Sequence, residues 1–99
     1  MEMTIKENEI KKNAFGFTEI KGTASLEEKG NIIYFYDFSI FEDTAENRVK
    51  ILSSKGSCIG ELVFNENVKE IKKEIKGENK EVITLLLNEL FNEYFGEKK

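Results

Sequence analysis

The chain has 99 residues, 39% hydrophobic and 34% charged, with a net charge of −4 and no histidine or proline. That length holds one domain and one modest core, and the interspersed charges read as a folded globule rather than a disordered tail. The acidic balance repels phosphate backbones and disfavours a nucleic-acid partner.

Residues 1–13 carry two patterns. Thr4 with Glu7 has the spacing of a capping box, favouring a short helix through Ile10, whereas Met3 and Ile5 would open an edge strand; the helix is the preferred reading. From Phe15 to Leu26, Ile20, Gly22, Ala24 and Leu26 share one parity and Phe15 and Phe17 the other. This reads as a strand with a bulge near Thr18 and Glu19. Glu27 to Asn31 supplies Gly30 and Asn31 for the positive φ of a hairpin.

The stretch from Asn31 to Phe41 alternates throughout. Ile32, Tyr34, Tyr36, Phe38 and Ile40 lie on one face, and Ile33, Phe35, Asp37, Ser39 and Phe41 on the other. β-branched and aromatic residues at period two predict a strand whose even face meets the core. Arg48–Leu52 and Cys58–Phe64 follow as third and fourth strands, separated by the turn residues Ser53–Ser57. Then the period changes. Asn67 as N-cap, Glu70 three residues on, and Val68, Ile71 and Ile75 at helical spacing predict a first helix ending at Gly77. Asn79 caps a second, with Val82, Ile83, Leu86, Leu87, Leu90, Phe91 and Tyr94 as its apolar stripe and Gly96 as its stop. The expected fold is a single α+β domain: a four-stranded antiparallel meander with two C-terminal helices on one face and a short N-terminal helix or edge strand.

With no histidine and one cysteine, Ser-His-Asp, Cys-His and zinc-ligand arrangements cannot be assembled. No phosphate-binding, dinucleotide-binding or calcium-loop motif is present. The expectation is a protein that is not an enzyme and holds no cofactor or metal. Cys58 reads as a buried, inert thiol; as the lone cysteine it forms no intrachain disulfide and favours a reducing compartment. No apolar run has the length of a signal or membrane-spanning segment, which makes the cytoplasm the expected location. The alternating Lys and Glu residues from Glu66 to Lys76 read as a solvated face.

Two helices have the breadth to roof one face of such a sheet, not both. The rings on the reverse face then need a cover, and apolar patches of that kind mark protein contacts. The predicted contact surface is Phe15, Phe17, Phe35 and Phe41 with the acidic loop residues Glu42, Asp43 and Glu46. The partner would be a protein, a second copy of the chain included, as in an inhibitor, immunity or adaptor protein. The alternative is a small-ligand pocket between sheet and C-terminal helix, with Tyr34 and Tyr36 supplying hydroxyls.

Overall fold

A computed structural model describes residues 2–12, 17–42, 46–65, 69–77 and 79–96. Six strands precede one helix: β1 (Glu2–Lys12), β2 (Thr18–Glu28), β3 (Asn31–Glu42), β4 (Glu46–Leu52), β5 (Cys58–Asn65), β6 (Glu70–Ile75) and α1 (Lys80–Phe95). Each strand pairs antiparallel with its chain neighbour, giving the sheet order β1-β2-β3-β4-β5-β6.

The expected four-stranded sheet with two helices is therefore corrected at both ends. Residues 70–75 form the sixth strand, not a helix. Only Ile71 and Ile75 are apolar there, too little for a helix to bury, while an edge place on β5 satisfies ladder groups that β5 would otherwise leave open. Asn67 and Val68, also assigned to that helix, lie outside the described residues. At the other end, residues 2–12 form an edge strand, the second of the two readings, rather than the preferred helix. Met3 and Ile5 stand opposite Leu26 and Ala24 and pack against the core. Pairing with β2 outweighs a local capping signal that no long apolar stripe supports.

Four single-residue bulges explain most of the remaining differences. The ladder skips Asn8 in β1, Ile33 in β3, Ile59 in β5 and Ile71 in β6. Each extra residue reverses the parity of everything beyond it. Ile32, read as core-facing, pairs with Glu27 and so joins Phe35 on the reverse face, 58% exposed. Cys58, read as buried, pairs with Leu52 and is exposed. The bulge expected in β2 near Thr18 and Glu19 is absent; those residues pair regularly with Glu42 and Phe41. The β2–β3 turn takes positive φ at Lys29 and Gly30 rather than at Asn31.

α1 covers one face, as its apolar stripe requires. Ile83, Leu86, Leu87 and Leu90 are at most 1% exposed and meet Phe38, Ile40, Val49, Ile51, Leu62 and Phe64. Phe64 is held edge-on by Phe91 and Phe95, at 4.8 and 4.7 Å between centroids. Close approach to the sheet depends on Gly60, where a Cβ would overlap the Ile83 side chain. Gly22 has the same role beneath the Phe38 ring, which lies 2.6 Å from where its Cβ would stand. The helix begins with Asn79 donating its side-chain amide to the Tyr36 hydroxyl (3.4 Å) rather than capping the first turn. It ends at Gly96 in an extended conformation. No described helix is long and apolar enough to cross a membrane.

Candidate functional site on the uncovered sheet face

The face turned away from α1 is built by the alternate residues of the same strands. Across β4, β5 and β6 it places Arg48, Val63 and Lys72 in one row and Lys50, Glu61 and Glu74 in the next. Glu61 is the hub. Its side chain is 13% exposed, and its carboxylate receives Arg48 at 3.5 Å, Lys50 at 3.7 Å and Lys72 at 3.4 Å. The chain of ion pairs continues from Arg48 to Glu46 (3.0 Å), and from Lys72 through Glu74 to Lys76 (both 3.1 Å). Lys76, then Lys72, hold the Glu74 carboxyl below the usual carboxylate range; Glu74, then Glu61, raise the Lys72 ammonium. Val63, only 2% exposed, lies between Arg48 and Lys72 in register, where their aliphatic stems shelter it.

Beside this network lies a hollow of about 300 Å³ lined by Phe17, Phe41, Glu46, Arg48 and Lys50. Lys50 Nζ stands 5.4 Å from the Phe41 ring centroid, a cation–π contact that also fixes one wall. Three predicted contact residues, Phe17, Phe41 and Glu46, thus come together. Phe35 does not join them. It stands on the same face six residues down β3, about 20 Å away at the strand rise, and is 59% exposed. There Ile32 (58%) makes a second apolar spot with it on the same face. Glu42, at the end of β3, pairs with Thr18 and is half-buried. Phe15 and Asp43 lie outside the described residues.

Tyr34 and Tyr36, the alternative ligand residues, stand on the other face, stacked on each other with 6.4 Å between centroids, and Tyr36 meets the start of α1. The space under the helix is filled by the leucines named above. Cys58 lines a smaller hollow of about 180 Å³ with Lys50, Glu61, Lys72, Glu74 and Lys76. Among the described residues, no three His, Cys, Asp or Glu side chains converge as a metal would require.

Sequence reasoning missed Arg48, Lys50, Glu61 and Lys72. The signal for the first two was present, since they alternate with the buried Val49 and Ile51. Lys72 was hidden by the helical reading of β6. Comparison of the chain with protein-family models, curated proteins and solved structures gave no match.

Proposed function

We propose that this chain is a non-catalytic protein-binding module whose contact surface is the uncovered sheet face. The observation that carries this reading is the pairing of the Phe17–Phe41 hollow with the Ile32–Phe35 spot, about 20 Å apart on one face at the strand rise. A small ligand would fill one of these. A protein surface reaches both, and six strands at about 4.8 Å spacing give the breadth that roughly 800 Å² per partner needs. The hollow has the dimensions to take one large side chain, the usual anchor of a binding hot spot.

The charges on the same face favour a protein over a nucleic acid. Arg48, Lys50, Lys72 and Lys76 are interleaved with Glu46, Glu61 and Glu74, so three carboxylates offset all but one of the four positive charges and little net potential remains to hold a phosphate backbone. Ion pairs of this kind contribute register and exclude wrong partners more than they contribute affinity.

Peptide selection from a random library on the intact chain tests the proposal, with binding mapped by amide chemical shifts. The expected binders carry an aromatic or long aliphatic anchor, move the resonances around Phe41 and Arg48, and weaken at least tenfold with Phe41→Ala. Binders that map to the α1 side, or that bind Phe41→Ala as well as the parent, would refute it.

A further inference from the structure

We infer that the chain forms a twofold dimer through the outer edge of β1, two copies pairing antiparallel into one continuous sheet. β1 is an eleven-residue edge strand whose outer ladder groups meet no other strand among the described residues. Such an edge invites a further strand unless its side chains forbid one. Here they specify one.

With the two β1 strands antiparallel, one register places Glu2 opposite Lys11 of the second copy, Met3 opposite its Ile10 and Thr4 opposite its Glu9. The twofold axis repeats each pair and, with Asn8 left out of this ladder as it is from the β1–β2 one, passes between the two copies of Lys6, a like-charge contact that the two Glu2–Lys11 pairs must outweigh. The bulge at Asn8 makes this register sound. Met3, Ile5 and Glu7 stand opposite Leu26, Ala24 and Gly22, on the α1 side. After the bulge, Ile10 stands opposite Ile20, so it too is on the α1 side, while Lys11 stands with Glu2, Thr4 and Glu9 on the reverse. In a regular strand Met3 and Ile10 would point to opposite faces, and this register could not join them.

Two features of the single copy are relieved by the pairing. Ile10 is 57% exposed at the rim of the covered face, and Met3 of the second copy would shelter it. Glu2 stands directly opposite Glu27 in the β1–β2 ladder, a like-charge pair, and Lys11 of the second copy, which in its own chain rests on Glu9 at 3.4 Å, would bring a positive charge to it from the other side. The other edge offers less. β6 has six residues against the eleven of β1, so it offers about half the ladder. A β1-to-β6 contact would be heterologous and would build an open array instead of a closed dimer. The twofold axis lies normal to the sheet, so both reverse faces look the same way. Resting on the proposed function, this makes the dimer bivalent toward a repeated or dimeric partner.

Sedimentation of the intact chain tests the register, with far-ultraviolet circular dichroism confirming the fold of each variant. The parent is expected to dimerise. Glu2→Lys and Lys11→Glu should each weaken the dimer about tenfold or more, because two attractive pairs become repulsive. The double variant should restore it. Glu2→Lys is the sharper arm, since it relieves the clash with Glu27 and should leave the monomer at least as stable as the parent. A parent that stays monomeric to about 1 mM, single variants that dimerise as the parent does, or a double variant that stays weak would each overturn the inference. None of these outcomes touches Phe41, so the peptide-binding reading stands or falls separately.

Discussion

Gly60 sits where α1 comes closest to the sheet, and replacing it with alanine measures how tight that contact is. The added methyl would overlap the Ile83 side chain, and Leu87 Cδ1 lies only 3.4 Å from the new atom. Ile83 is 1% exposed and Leu87 fully buried, so neither has free volume to retreat into. Overpacking of this kind costs about 1–3 kcal/mol. Ile83→Ala alone removes a fully buried side chain and should cost about 2–5 kcal/mol. In the double variant the new methyl occupies part of the space the isoleucine vacates. The combined loss should therefore fall short of the sum by at least about 1 kcal/mol, the coupling expected of residues in contact. Urea denaturation followed by circular dichroism reads all three values. In a domain of this size each kcal/mol also lowers Tm by about 4–8 °C. A neutral Gly60→Ala, or strictly additive losses, would show that the helix does not bear on Gly60 and would refute the close-packing argument.

Two further outcomes follow from particular side chains. Burial, and then the hydrogen bond its hydroxyl donates to Glu7 Oε1 at 2.8 Å, raise the Tyr94 phenol above its ordinary value of 10.0. The folded chain therefore keeps this proton when the unfolded chain has lost it, so the contribution is complete below pH 10 and falls away as pH rises beyond it. Tyr94→Phe should cost about 1 kcal/mol at neutral pH and flatten part of the decline between pH 9 and about 11; parallel pH curves for variant and parent would contradict the assignment. Cys58, displaced to the surface by the bulge at Ile59, should react fully with a maleimide in the native state, whereas a thiol that reacts only after denaturant is added would place it back in the core.

The apolar stripe of α1 could be read from the sequence because a sixteen-residue helix repeats its signal four times. β3 was legible for the same reason, its rings alternating through Phe41. Phe17 and Phe41 were likewise identifiable as contact candidates, as large rings off the core parity. β6 was not legible. An edge strand exposed to water over most of its length needs no period, and its Lys and Glu residues prefer a helix when read alone.

By itself the sequence determined the centre of the core: Phe38 and Ile40 late in β3, Val49 and Ile51 in β4, and a broad leucine face near the end of the chain, with charges nearly everywhere else. Periodicity encodes that much because burial is a property of each side chain and its near neighbours. The tertiary structure alone decided the number of strands and the face to which Ile32, Cys58 and Ile10 point. A bulge leaves no mark in composition; it arises where two strands of fixed twist must share one ladder, and that condition exists only once the partner strand is in place.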